Sequence, residues 1–347
     1  MILKNAFLNL GKSKMLIAVM LIVTACILFW ISSRDFNFST PKTVIEMPLI
    51  HAVAVDDTYV YWSTLGSLKD DHTWNDDVAE AKIMRAKKDG SSIEALASGL
   101  YTPWDIAVDD MYVYWISVCG TFSDHKDGGK VELLEGVGCD RHYGLNGMDA
   151  GDIEVDSDNV YWVNYDNSRL NVMNKITKEI TDIDLGDTYW DIELQGDYIY
   201  GLDGEDNKTF LWRINKDGTG LTRKYLQNDT VSSFSIDDVN VYWGVQLCFS
   251  ENSGNVMKMS LNEQTPSILA STWDCNSGPV DLTSDEDYLY WNTNFATFTQ
   301  NLVSLPKQGG NPHVLAHNVF VSDIAVDSNG LFFTTREKIV FIAKNNK

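Results

Sequence analysis

The sequence is short of positive charge. Lysine and arginine total 27 against 49 aspartate and glutamate residues, which gives a formal net charge of −22. Long-range repulsion therefore argues against nucleic acid or an anionic lipid surface as a partner, and it favours cations or cationic ligands. An acidic surface that keeps an exported protein soluble is the simpler explanation, because it needs no specific partner.

The residue patterns that mark common catalytic and metal sites are also absent. There is no Gly-x-Ser-x-Gly nucleophile elbow, no His-Glu-x-x-His helix, no P-loop and no EF-hand loop. No cysteine spacing typical of a zinc site occurs. These absences leave the question of catalysis open, and they favour a binding function over an enzymatic one.

Long uncharged hydrophobic runs are limited to one segment, residues 15–31, which follows three lysines and precedes Arg34. A run of this length is at the short end for a membrane span. The positive-inside rule places the N-terminus in the cytoplasm and everything after Arg34 in the periplasm or outside the cell. We therefore predict a cytoplasmic stub and signal-anchor transmembrane helix over residues 1–34, a linker over 35–42 and one extracytoplasmic domain over 43–347.

A second interpretation of the N-terminus is a lipoprotein signal. Residues 23–26 (VTAC) resemble a bacterial lipobox, in which Cys26 would be lipidated. Residues 27–31 are apolar where such lipoproteins usually become polar, and this favours the uncleaved anchor. Both interpretations export the same domain, and the sequence does not identify the host or the membrane.

A repeated unit dominates the rest of the chain. Each copy has an apolar stretch, an aspartate, a few turn residues and an aromatic pair, and the six intervals between Trp62 and Phe333 average about 45 residues. The seven copies are VAVDDTYVYW, IAVDDMYVYW, IEVDSDNVYW, IELQGDYIYG, FSIDDVNVYW, LTSDEDYLYW and IAVDSNGLFF. The fourth is the weakest, with Gln195 in place of the aspartate and Gly201 in place of the tryptophan.

The repeat predicts an all-β, seven-bladed β-propeller. Each copy is a hairpin followed by a second hairpin, which gives four strands per unit, and no helical periodicity follows the anchor. Adjacent Tyr and Trp residues point to opposite faces of a strand, so both faces of each sheet must be covered by neighbouring sheets. The last copy is followed by only one strand, residues 338–344, and the N-terminal segment 43–47 can complete that sheet and close the ring. Without this closing strand the count would be six blades.

The copies resemble the YWTD, or LDL-receptor class B, propeller repeats and their bacterial relatives over residues 43–344. The YWTD tetrapeptide itself is absent, since the copies continue as YWST, YWIS, YWVN, YWGV and YWNT. YWTD propellers have six blades, so the resemblance keeps six as the alternative. It implies a non-enzymatic interaction platform, here a membrane-tethered monomer that binds a protein or glycan.

The long insertions predict which face carries the ligand. They follow the second strand or precede the next first strand, and both kinds of loop lie on one face of a propeller. The same placement predicts two disulfides in an oxidising compartment. The predicted pairs are Cys119 with Cys139 and Cys248 with Cys275.

Acidic residues recur at the start of the first strand of each unit, at the mouth of the central channel. Five of the seven positions are aspartate, and two units add a glutamate two residues later. The candidate metal ligands are Asp105, Asp152, Glu154, Asp191, Glu193, Asp281 and Asp323. Oxygen ligands suit calcium. The alternative, which we favour over metal binding, is that each aspartate accepts hydrogen bonds from nearby backbone N–H groups.

Two tryptophans, Trp104 and Trp190, precede two of these aspartates and are candidates for stacking on a sugar or a cation. A calcium-dependent propeller hydrolase of the gluconolactonase type is the alternative to a binding module, with the channel-mouth carboxylates as metal ligands. The motif aspartates, such as Asp56, lie at the other end of the first strand and are interpreted as turn residues.

Overall fold

Each copy of the repeat forms one antiparallel sheet of four strands. The computed structural model describes residues 38–66, 79–117, 119–136, 151–164, 169–185, 188–205, 208–228, 231, 233–245, 254–263, 265–271, 279–293 and 300–345. Within these ranges there are seven four-stranded sheets and no helix. The all-β, seven-bladed propeller is therefore confirmed, and the six-bladed alternative is not.

The blades follow one another along the chain. The first strand of the chain, β1 (Lys42–Glu46), belongs to the last blade, and blade 1 comprises β2 (Ile50–Val55), β3 (Tyr59–Thr64), β4 (Ala81–Lys87) and β5 (Glu94–Leu100). Blades 2 and 3 comprise β6 (Pro103–Val108), β7 (Tyr112–Ser117), β8 (Gly120–His125), β9 (Glu132–Glu135), β10 (Ile153–Val155), β11 (Asn159–Asn164), β12 (Arg169–Asn174) and β13 (Ile180–Asp184). Blades 4 and 5 comprise β14 (Thr188–Gln195), β15 (Tyr198–Glu205), β16 (Lys208–Asn215), β17 (Thr222–Asn228), β18 (Phe234–Ile236), β19 (Asn240–Val245), β20 (Asn255–Ser260) and β21 (Ser267–Ser271).

The ring closes by pairing the two ends of the described chain. Blade 6 comprises β22 (Pro279–Ser284), β23 (Tyr288–Thr293), β24 (Leu302–Pro306) and β25 (His313–Ala316). Blade 7 comprises β26 (Asp323–Val326), β27 (Gly330–Thr334), β28 (Lys338–Ala343) and, as its outer strand, β1 (Lys42–Glu46). The closing strand predicted at residues 43–47 is thus present, shifted by one residue.

Contacts of the N-terminal segment begin before β1. Phe38 forms an isolated antiparallel bridge with Lys344 and is buried. Its ring packs edge-on against Tyr288 and Tyr290 of blade 6, with centroids 5.1 and 5.9 Å apart. The propeller therefore includes part of the segment that we expected to be a linker.

Apolar packing between neighbouring blades builds the core. Seven clusters of buried side chains occur in the described part of the chain, and each joins two adjacent sheets. The Tyr–Trp pair of blade 1, Tyr61 and Trp62, has no exposed surface. Burial of one large aromatic side chain contributes about 4 to 6 kcal/mol by area, before conformational entropy is subtracted. Both faces of each sheet are covered, as the aromatic pairs predicted.

In blade 4 a tryptophan from a different strand replaces the one that the repeat lacks. A Cβ atom on Gly201 would lie 2.2 Å from the indole ring of Trp212, which projects from the next strand and is buried. The indole Nε1 donates to the backbone oxygen of Leu202 at 3.2 Å. The ring that β15 lacks is therefore supplied by β16, and glycine is required to make room for it.

The turn aspartates hold the opposite end of the propeller, which we call the turn face. In blade 1, Asp56 accepts hydrogen bonds from the backbone N–H groups of Thr58 and Tyr59 at 2.8 and 2.7 Å and from the Tyr61 hydroxyl at 2.7 Å. It also accepts a hydrogen bond from Lys126 Nζ of blade 2 at 2.6 Å. The turn role is confirmed, and the carboxylate additionally joins two blades.

This lysine–aspartate clasp recurs at six of the seven seams between blades within the described residues. The other pairs are Lys175–Asp109, Lys216–Asp156, Lys307–Asp237, Lys344–Asp285 and Lys88–Asp327. At the seam of blades 4 and 5 both partners are replaced, by Gln195 and Leu261. There Gln195 Nε2 donates to Asp238 instead.

Candidate functional site

The predicted acidic residues do meet at one end of the central channel, which we call the mouth. The aspartates among them line a cavity of about 330 Å³ together with Ala52 and Ser233, which occupy the same ring position in blades 1 and 5. The five aspartates of the cavity are Asp105, Asp152, Asp191, Asp281 and Asp323. The structure thus brings the five aspartates of this repeat position together, and their role as metal ligands stays a prediction.

Most of these side chains bind the backbone of the next blade. Asp105 accepts the N–H of Ile153 at 2.9 Å, and Asp152 accepts the N–H of Ile192 at 2.8 Å. In the same way Asp191 accepts the N–H of Phe234 at 3.3 Å, Ser233 accepts that of Leu282 at 3.0 Å and Asp323 accepts that of Val53 at 2.6 Å. Hydrogen bonding to backbone N–H groups, the role that the sequence analysis favoured over metal binding, is thus observed at five seams, including the one that closes the ring.

Two seams lack this hydrogen bond between a ring side chain and the backbone of the next blade, which we call the latch. In blade 1 the ring position is Ala52, which has no side-chain oxygen, and the N–H of Ile106 binds its own neighbour Asp105 at 2.8 Å. In blade 7 the N–H of Ile324 likewise binds Asp323 at 2.7 Å, so it is not given to Asp281. Asp281 is consequently the aspartate of the ring that latches no neighbouring blade.

Burial and mutual repulsion change the acidity of the ring. Burial raises the pKa of Asp105, Asp152 and Asp191 well above the usual value, and the charges of neighbouring carboxylates raise it further. For Asp281 and Asp323 the same causes raise the pKa to about 7. The mouth therefore carries fewer negative charges at neutral pH than its composition indicates.

A second tier of carboxyl groups lies deeper in the channel. Burial, followed by the charges of Asp105 and Asp191, raises the pKa of Glu154 to about 8. Burial also raises the pKa of Glu193 to about 8, although Glu193 accepts the N–H of Ile236 at 2.8 Å. The two glutamates lie close enough for their charges to interact, since the charge of Glu154 contributes to the raised pKa of Glu193.

An aromatic pair forms one wall of the mouth. The rings of His51 and Trp104 pack edge-on with centroids 5.3 Å apart, and both residues line the cavity. The indole Nε1 of Trp104 is buried and has no hydrogen-bond partner among the described residues. Burial, followed by the charge of Arg336, lowers the pKa of His51 to about 4, so its imidazole is neutral. Repeat alignment selected Trp104 but missed His51, which precedes Ala52 directly.

The ring does not form a compact metal site. Within the described part of the chain, no three carboxylate, imidazole or thiol groups are close enough together to hold a metal ion. The calcium hypothesis, and with it the hydrolase hypothesis, therefore stays a prediction.

Several predicted features lie outside the described residues or on side chains that are not described. Cys119 is disulfide-bonded, but Cys139, Cys248 and Cys275 fall outside the described ranges, so the two pairings stay predictions. The side chain of Trp190 and the whole segment around Cys26 fall outside as well. No helix among the residues that the structure describes has the length and hydropathy of a membrane span, and the predicted anchor is not among them.

The clasp lysines are the residues that repeat alignment missed. Each lies just after the third strand of its blade, as in RAKKDG, SDHKDG, VMNKIT, RINKDG, SLPKQG and FIAKNN. A lysine at one repeat position, together with an aspartate at another, was the available signal. The fifth copy lacks the lysine, and the fourth copy lacks the aspartate that this lysine would bind.

Comparisons with known proteins support the fold alone. No family model and no curated protein matches the chain. The WD40 β-propeller domain of Doa1 is 11% identical with a TM-score of 0.62, over 89% of this chain and 97% of that chain. The extracellular domain of BT4673 from B. thetaiotaomicron is 11% identical with a TM-score of 0.57, over 88% of this chain and 39% of that chain. The designed protein Ika8 is 11% identical with a TM-score of 0.56, over 87% of this chain and 99% of that chain. The chain is thus similar in architecture to β-propellers, and its likeness to YWTD repeats stays a resemblance.

Proposed function

We propose that this protein is a membrane-tethered, extracytoplasmic β-propeller that binds a protein or glycan at its mouth without catalysis. The observation that carries the proposal is the mouth cavity itself. Four of its five aspartates are engaged with backbone N–H groups of the neighbouring blade, and this is a structural task. The cavity volume is at the lower end for ligand sites, which suits one side chain or one sugar ring.

The sequence insertions support the mouth as the contact surface. Residues 67–78, 137–150, 246–253 and 272–278 join strands whose described ends lie at this face. A scaffold with a rigid ring and long connections at one face is a common arrangement for recognition. A protein or glycan ligand would place one group in the cavity.

The position of the chain entry supports tethering in a productive orientation. Phe38 pairs with Lys344, which takes part in a clasp at the turn face. Residues 32–37 separate the hydrophobic run of residues 15–31 from Phe38 and span at most about 20 Å when extended. A tether at this point holds the turn face toward the membrane and leaves the mouth pointing away from it, where a ligand can reach it.

Site-specific photo-crosslinking of the full-length protein in cells tests this proposal. A benzoylphenylalanine at Trp104 is expected to capture a ligand, whereas the same group at Ile176, which is 88% exposed on the turn face, is not. A membrane-impermeant amine reagent is expected to label the propeller in intact cells. Equal crosslinking at both positions, or labelling only after lysis, would contradict the proposal.

A further inference from the structure

We infer that the turn face of the propeller contacts the surface of the lipid bilayer and inserts apolar hairpin tips between uncharged headgroups. The inference rests on the proposed function, because the predicted tether brings this face to the membrane. It adds a second contact between the protein and the membrane, and it names the lipid chemistry that fits the contact.

Exposed apolar side chains mark the hairpin turns of the turn face. Blades 1 to 5 each present one large apolar residue in a turn between the first and second strands or between the third and fourth, and antiparallel pairing puts both kinds of turn at one end of a blade. These tips are Ile93, Met111, Ile176, Leu221 and Val239, and each exposes more than two fifths of its surface. Single exposed apolar residues are ordinary, but five of the ten in the described part of the chain lie in the turns of this one face.

The tips occupy the blades that do not hold the entry of the chain. The N-terminal segment meets the propeller at blades 6 and 7, where Phe38 packs on Tyr288 and β1 pairs with β28. Among the described residues, the turns of these two blades carry no exposed large apolar side chain. The tether would therefore hold one side of the ring at the membrane and the tips would hold the other side, which sets the channel axis perpendicular to the bilayer.

The length of the chain before Phe38 brings the tips within reach of the lipid. Because residues 32–37 span at most about 20 Å, the point where the chain enters the propeller cannot lie farther than this from the end of the hydrophobic run. The headgroup layer of one leaflet fills about 5 to 8 Å of that distance. Apolar groups of proteins that lie on a membrane are buried at the boundary between headgroups and acyl chains, and the tips are placed to do the same.

The charge of the turns favours uncharged lipid. Exposed carboxylates lie within four residues of four of the tips, at Asp89, Asp110, Asp217 and Asp238. Exposed lysines of the turns, such as Lys130 and Lys178, are fewer, and the clasp lysines are already paired with turn aspartates. Anionic headgroups would be repelled by this surface, whereas zwitterionic headgroups carry no net charge.

Fluorescence of the full-length protein in phosphatidylcholine vesicles tests the inference. An environment-sensitive fluorescent amino acid replaces Val239 at a tip or, as the matched control, Phe320, which is exposed in the connection between blades 6 and 7 at the mouth. At Val239 we expect a blue shift of the emission and quenching by lipids that carry a nitroxide on the headgroup, and at Phe320 neither. Phosphatidylglycerol in the vesicles should reduce the quenching at Val239 by charge repulsion, and added salt should restore it.

Substitution of other tips provides an independent readout. The double variant Ile93→Asp and Ile176→Asp should reduce the quenching at Val239, because two apolar contacts are lost and two charges are added. The control variant Phe320→Asp should leave the quenching unchanged. All three side chains are exposed, so the core of the propeller is not altered.

The outcomes separate the two proposals. Equal emission at Val239 and Phe320 would overturn the inference, and so would a blue shift at Val239 that nitroxide lipids do not quench, because another protein surface would then cover the tip. Sedimentation with the vesicles reports the tether separately, and protein that sediments without quenching at Val239 contradicts the inference alone. Quenching at Val239 without any crosslink at Trp104 would leave the membrane contact standing and contradict ligand binding at the mouth.

Discussion

Replacement of Glu193 by glutamine should make the protein more stable, and the gain should grow with pH. Glu193 lies in the channel, where burial and the charge of Glu154 raise its pKa from 4.5 to about 8. Its carboxylate accepts the backbone N–H of Ile236 at 2.8 Å. A glutamine oxygen can accept the same hydrogen bond, so the substitution removes the titration and keeps the contact.

The sign follows from proton binding. Below pH 4.5 the folded and unfolded chains both hold the proton, and Glu193 does not reduce stability. Between pH 4.5 and pH 8 the folded protein keeps a proton that the unfolded chain has released, so stability falls as pH rises. Above about pH 8 both states are ionised and the loss is constant.

The size of the effect follows from the same interval. The pKa difference corresponds to about 5 kcal/mol at about 1.4 kcal/mol per unit, and this is an upper limit because the channel admits water. We expect E193Q to exceed the wild type by about 1 kcal/mol at pH 5 and by about 3 to 5 kcal/mol at pH 9.

Denaturant unfolding followed by tryptophan fluorescence at pH 5, 7 and 9, at constant ionic strength, measures this difference. Asp156→Asn is the matched control, because Lys216 and backbone donors lower the pKa of Asp156 to about 2 against the effect of its partial burial. Its ionised form contributes stability above pH 3.8 that disappears as pH falls through 2, the opposite direction. A gain for E193Q that stays constant from pH 5 to pH 9, or that shrinks with rising pH, would refute the assignment of a proton to this carboxyl.

Three further changes test the architecture. The pair Gln195→Asp and Leu261→Lys should rebuild the missing clasp. Each single change should be neutral or destabilising, and a double-mutant cycle should give a favourable coupling free energy of about 1 kcal/mol. Additive effects would show that the two side chains do not meet. Gly201→Ala should destabilise the fold by about 2 kcal/mol or more, because the new methyl group would clash with Trp212, and a melting temperature equal to that of the wild type would contradict this packing. Lys126→Met should cost about 1 to 3 kcal/mol at neutral pH, because the partly buried Asp56 carboxylate loses its cation and keeps only neutral donors. Most of that loss should vanish near pH 2, which acid-dependent melting can check.

The repeat made most of the fold predictable. Asp56 and its equivalents need no tertiary information to be recognised as turn residues, because an aspartate followed by two or three polar residues binds its own turn. The Tyr–Trp pairs require cover on both faces, and only stacked sheets provide it. The closing strand followed from counting strands at the two ends of the chain.

The candidate site was predictable in position but not in chemistry. Alignment placed Asp105, Asp281 and Asp323 at the channel mouth, yet it treated all ring positions alike. The N–H groups that distinguish them belong to residues of other blades, 48 positions away for Ile153 and Asp105 and 270 positions away for Val53 and Asp323. No local pattern contains that pairing.

By itself the sequence determined the all-β repeat, the number of sheets and the shared position of the acidic residues, because the pattern of each copy and the number of copies can be read along the chain. Only the tertiary structure decided that four ring aspartates bind the backbone of the next blade, that lysines clasp the opposite face and that Asp281 latches no neighbouring blade in the described part of the chain. These properties depend on contacts between copies, and the geometry of such contacts is set when the seven sheets close into a ring.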